Sequence, residues 1–150
     1  DTYEDIIVRA RNYQPDAAIL GVQVQELVDV DTGTETIVGV NRDPQFGPLV
    51  MFGLGGIFVE IMEDTAFRVA PVTEPEAREM FTEIDSSPLL YGARGREPAD
   101  VDALVDTIQR ISQLVTDFPA ITELDLNPVV ALPDGAAAID LHLTLDTEKL

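Results

Sequence analysis

Cysteine and tryptophan are absent from this chain, and Lys149 is its only lysine. Without cysteine there are no disulfides, no thiolate zinc sites and no cysteine nucleophile. Basic residues of both kinds are scarce, nine Lys and Arg against 28 Asp and Glu, for a formal charge of −19. A surface that meets a nucleic-acid backbone carries the opposite sign, so nucleic acid is excluded as a partner. No apolar run approaches the ~18–20 residues of a membrane span, and no signal peptide is visible. The expectation is a cytoplasmic protein with no membrane partner. The acids run along the whole chain and do not form one tail. Such a surface repels itself, and concentrated salt screens the repulsion. The composition is therefore read as halophilic, an adaptation to a salty cytoplasm.

What is present is enough for a core. The 150 residues are 45% hydrophobic, which suits one globular domain. The chain opens on Asp1 without an initiator Met, so a trimmed domain or fragment is expected. Residues 3–13 read as the end of a helix, stopped near Pro15. "AILGVQVQELVDV" (18–30) alternates as a strand, and Asp31, Thr32 and Gly33 turn it into a second strand over 34–43, a hairpin. Further strands are predicted around 48–52, 57–62 and 66–70. Thr73 and Glu76 form a capping-box pattern ahead of a helix. Pro98 suits the first turn of another, on which Val101, Leu104, Val105, Ile108, Ile111 and Val115 recur at helical spacing. Phe118 and Pro119 end it, and a strand over 121–132 returns through Pro133-Asp134-Gly135 as a strand over 136–143. Strands and helices are segregated, which indicates an α+β domain: a mixed or antiparallel sheet, two main helices on it and a C-terminal hairpin.

The closing hairpin holds the first candidate site. In "TELDLNPVV" (122–130), Glu123, Asp125 and Asn127 share one face of a strand and Leu124 and Leu126 the other. If Pro133 and Asp134 make a two-residue turn, Leu132 pairs with Gly135, Asn127 faces Asp140 and Asp125 faces His142. Carboxylates with an amide oxygen suit a hard cation such as Mg²⁺. A three-residue loop bulged at Gly135 would shift that register and flip Asp140, and the solvated face of an edge strand is the competing account. The glycines of "MFGLGGIFVE" (51–60) allow close backbone approach to an anion, or simply a tight turn between buried strands. They lack the lysine of a P-loop. Glu26 is an acid inside an apolar strand pattern, on a wet face or bonded to something polar. Arg94 in "GARG" is either a phosphate ligand or a surface arginine. His142 has no partner pattern for a catalytic triad and is read as structural.

In order and spacing, "GVQVQELV", "TETIVGVNRDPQFGPLVMFGLGGIFVEI", "FRVAPVTEPEAREM", "YGARG" and "ITELDLNPVV" resemble one family. It is the ATP-grasp β part of the ADP-forming acyl-CoA (acetyl-CoA) synthetases, with succinyl-CoA synthetase β chains as more distant relatives. The resemblance runs from about residue 3 to 143. It implies conversion of acyl-CoA, ADP and phosphate to acid, CoA and ATP, with a phosphohistidine relaying the phosphoryl group from a CoA-binding part. It implies Mg²⁺ on Asn127 and Asp140 together with Asp125, and gives Asp125 the catalytic position beside the transferring phosphate. It places ATP/ADP contacts at Glu26, Gly55, Gly56, Glu60 and Arg94. The family ends this strand with D-A-R where this chain has Asp140-Leu141-His142, which leaves the arginine without a counterpart. The family's preceding lobe carries a lysine and a histidine-bearing glycine-rich stretch that this chain lacks. The expectation is a single domain, most of an ATP-grasp domain without its N-terminal lobe, inactive alone and oligomeric in the complete enzyme. The alternative is a decayed or separately encoded module that binds without chemistry.

Overall fold

Thr34–Asp43 is the strand around which the rest is arranged. In a computed structural model that describes residues 1–30, 32–56, 62–95 and 97–149, this strand, β1, has a partner on each side. β2 (Gly47–Leu54) pairs with it antiparallel through the 43–47 turn, and β3 (Thr65–Val69) pairs antiparallel with β2. On the other side runs β4 (Ile121–Leu132), also antiparallel. The far edge of β4 is shared: β5 (Gly135–Ala138) covers its C-terminal half and β6 (Leu141–Leu145) its N-terminal half. The result is one six-stranded antiparallel sheet.

Alternation along these strands sends Val38, Val40, Val50, Phe52, Ala66 and Leu124 to one face, all buried. Two helices cover that face. α2 (Glu74–Glu83) starts on the predicted capping box, with Thr73 N–H donating to Glu76 Oε2 at 2.8 Å. α3 (Val101–Asp117) buries Leu104, Val105, Ile108, Ile111 and Val115, the stripe read from spacing. Pro98 does not open it: Asp100 is the N-cap and accepts from Ala103 N–H at 3.0 Å, because an acid side chain can satisfy a free amide where proline offers none. Phe52 and Phe81 join sheet to helix edge-to-face, with centroids 4.6 Å apart. Full burial of a side chain of this size stabilises by roughly 1.5–3 kcal/mol.

The N-terminal third departs from expectation. The helix Thr2–Tyr13 has no buried residue. The predicted strand 18–30 joins no sheet, so the predicted hairpin with 34–43 does not form. Both edges of β1 are occupied by β2 and β4, so 18–30 finds no open edge of β1 to pair with. Leu20, Val24 and Leu27 are 100%, 93% and 95% exposed. The predicted strand 57–62 lies for the most part outside the described residues.

Candidate functional site

The sheet face away from α2 and α3 carries the polar residues. Across it, Phe67, Met51, Gly39, Asp125 and His142 are successive cross-strand partners on β3, β2, β1, β4 and β6. The apolar half of the row meets the polar half at Gly39, where an added Cβ would lie 3.3 Å from Met51 Cε and 3.8 Å from Asp125 Oδ1. A side chain there would separate Met51 from Asp125.

The C-terminal hairpin takes the two-residue turn. Leu132 pairs with Gly135, Val129 with Ala138, and Asp125 with His142. Between those two ladders, Asn127 N–H donates to Asp140 O at 3.3 Å and Ile139 N–H to Pro128 O at 3.0 Å. Asn127 and Asp140 thus face each other at the gap between β5 and β6. The Asn127–Pro128 peptide is cis. Asn127 and Asp140 are exposed, as is His142. Asp125 is part-buried, and burial is the main cause that pushes its carboxyl above the ordinary value. The neighbouring charges of Glu123 and Asp140 add to that rise, and His142 opposes it. Glu123 accepts from Thr144 Oγ1 at 3.2 Å.

Two hard oxygen donors, an amide and a carboxylate, fit a cation that keeps water and phosphate among its ligands, as Mg²⁺ does. Among the described residues no group of three or more His, Asp or Glu could hold a metal by itself. The pair could therefore hold such a cation only together with ligands from outside the described residues.

The other predicted residues are placed differently. Gly55 and Gly56 leave β2 at the end of the sheet nearer Asn127, two strands across from it. Gly55 N–H donates to Glu35 O at 2.8 Å, and Gly56 has φ +65, a conformation that favours glycine. Glu26 is exposed in the unpaired 14–30 stretch, away from any strand. Arg94 falls in a 3-10 turn, Ala93–Gly95, and Glu60 lies outside the described residues. Sequence reading missed an open cleft of about 550 Å³ on this face, lined in part by Asn41, Asp43, Met51, Phe67 and Glu123. Its signal was available as the alternation Gly39-Asn41-Asp43, continuous with Asp125.

A family model for the ATP-grasp domain matches residues 1–145. The chain belongs to the ATP-grasp family. As an ATP-grasp domain it is similar to the acetate–CoA ligase [ADP-forming] I subunit beta of Pyrococcus furiosus, 48% identical over 97% of this chain and 62% of that one. It is 46% identical to the acetate–CoA ligase [ADP-forming] I of Archaeoglobus fulgidus, over 96% of this chain but 21% of that protein. Among solved structures it superposes on acetyl-coenzyme A synthetase 1 of Ca. Korarchaeum cryptofilum, in complex with coenzyme A and Ca-AMPCP. The TM-score is 0.84 at 44% identity, covering 96% of this chain and 62% of that one. A second structure of that protein holds Mg-AMPPCP and has its phosphohistidine segment pointing towards the nucleotide binding site, with TM-score 0.73 and 47% identity over 76% of this chain and 54% of that one. The ATP-grasp domain described here thus spans about three fifths of the Pyrococcus subunit. None of its described helices is long and apolar enough to cross a membrane.

Proposed function

We propose that this ATP-grasp domain is the nucleotide- and Mg²⁺-holding part of an ADP-forming acyl-CoA synthetase. The enzyme would convert acyl-CoA, ADP and phosphate to acid, CoA and ATP through a phosphohistidine on its CoA-binding part. The reading is carried by one observation: Asn127 and Asp140 face each other at a gap in the sheet edge, one row from Asp125. In this reading Asn127 and Asp140 hold Mg²⁺, with Asp125 beside them. Bound there, the ion would neutralise phosphate charge, which phosphoryl transfer needs more than covalent help. Asp125 would then lie beside the transferring group. Gly55 and Gly56, with Glu26, Glu60 and Arg94, belong to the nucleotide side.

The 150 residues make up most of an ATP-grasp domain without its N-terminal lobe, and alone they would not turn over. The helix Thr2–Tyr13, with no buried residue, and the exposed Leu20, Val24 and Leu27 support this reading, since apolar side chains left open to solvent are what a missing lobe would leave. The complete protein would be a cytoplasmic, oligomeric enzyme of a salt-adapted cell. The test is a coupled assay of ATP formation in that complete enzyme. Asn127→Ala and Asp140→Ala should each lower the rate on the order of a hundredfold, the scale of a lost metal contact. Unchanged rates in both would sink the metal assignment.

A further inference from the structure

Thr36, on β1, is a polar residue with no exposed surface. It lies on the helix side of the sheet, in step with Val38 and Val40, where an apolar side chain of the same shape would fill the space. Its hydroxyl donates to Val129 O on β4 at 2.8 Å. The place of that bond is specific. β1 and β4 pair Thr36 with Val129 and Val38 with Leu126, so Asn127 and Pro128 together oppose Ile37 alone. Two residues against one make a β-bulge, with the extra residue on β4.

The bulge changes which residues of β4 face outward. Before it, Leu124 is in the core and Asp125 lines the open cleft. Past it, Val129 and Ala131 are in the core. Residues two apart share a face of a regular strand, which would turn Asn127 inward with Val129 or Val129 outward with Asn127. The bulge lets an exposed Asn127 and a buried Val129 stand two residues apart. Two features hold it in place. Pro128 has no N–H, so its place in the bulge leaves no donor unsatisfied. Thr36 ties the first paired residue beyond it to β1. We infer that Thr36 is a positioning residue for the metal site, pinning the bulge so that Asn127 stays where it meets Asp140. The inference rests on the proposed function, which gives Asn127 its role as a ligand. A bulge moved by one residue would turn the Asn127 amide away from Asp140.

The test separates hydroxyl from shape. In the complete enzyme, ADP binding is measured by calorimetry with Mg²⁺ and again with EDTA. Thr36→Val keeps the shape and removes the hydroxyl. Its Mg–ADP affinity should fall about tenfold, the lower end of the range for residues that orient a metal ligand, with ADP binding in EDTA unchanged. Thr36→Ser keeps the hydroxyl and should bind Mg–ADP as the wild type does. A purely structural Thr36 would lower the thermal midpoint in both variants and leave the Mg²⁺ dependence alone, and that result overturns the inference. Equal losses of Mg–ADP affinity in Thr36→Ser and Thr36→Val overturn it too, by making the methyl group the cause. If Thr36→Val does not fold, Thr36→Ala takes its place, since it also lacks the hydroxyl and sets no methyl against the Val129 carbonyl. Asn127→Ala distinguishes this inference from the reading beneath it. If Asn127→Ala leaves the Mg²⁺ dependence unchanged, the metal assignment fails and the inference with it. If Asn127→Ala removes that dependence and Thr36→Val does not weaken it, the inference alone fails.

Discussion

Asp125 and His142 stand directly opposite each other on neighbouring strands, β4 and β6. The pairing sets His142, which lowers Asp125's pKa, against burial, Glu123 and Asp140, which raise it. Glu123→Gln should therefore bring the Asp125 pKa down towards its ordinary value, and His142→Ala should push it further up. Carboxyl-carbon NMR titration reads both directions, and a shift of the wrong sign in either variant rejects the assignment.

The same shift bears on stability. A carboxyl whose folded pKa is raised contributes stability that is fully present below the ordinary carboxylate value and lost as pH rises through the raised one. Asp125→Asn should abolish that loss, leaving the variant slightly more stable than wild type at neutral pH, by less than about 1 kcal/mol for so partly screened a group. Denaturant melts across the acid range measure the difference. A variant less stable than wild type at neutral pH would contradict it.

Asp64 shows the opposite sign. Burial pushes its carboxyl up, but the Ser86 hydroxyl and the N–H groups of Ser86 and Asp85 outweigh this and hold it below the ordinary value. The two backbone bonds are each 2.8 Å. Its stabilisation is present above the ordinary carboxylate value and lost as pH falls through the depressed one. Asp64→Ala should cost about 1–3 kcal/mol at neutral pH, the range for hydrogen bonds to a charged group. The gap should close in acid.

Two glycines should respond in contrast. A Cβ at Gly33 would lie 2.3 Å from Val130 Cγ1 and 3.2 Å from Ala131 O. Gly33→Ala should thus destabilise by about 1–3 kcal/mol, the cost of overpacking. At Gly39 the nearest atom is the end of a flexible methionine that can give way, so Gly39→Ala should cost less than Gly33→Ala. Thermal melts of the two variants side by side make the comparison.

The charge of −19 predicts a thermal midpoint that climbs from low to molar KCl as repulsion is screened. A midpoint indifferent to salt removes the halophilic reading.

Where local pattern and tertiary context agree, the sequence was legible. The α3 stripe from Leu104 to Val115, the Thr73–Glu76 box and the β4 alternation depend on neighbours that the chain itself contains. Residues 18–30 carry as clear a strand pattern, but pairing needs a second strand, and both sides of β1 go to other segments. The hairpin register turned on whether Gly135 bulged, which residue identity left open and the pairing of Leu132 with Gly135 decides. The cleft was harder to read, because Phe67, Met51, Asn41 and Glu123 come from four strands that only the sheet order brings together.

The split edge of β4 has a further consequence. β5 and β6 grip β4 separately, and the side chains of Asn127 and Asp140 stand at the seam with no share in the core. Their link to the fold is local: the Asp140 carboxylate accepts from the Leu141 N–H at 2.9 Å where β6 begins. Under the proposed function, a library randomised at those two positions should yield proteins that mostly fold and seldom work.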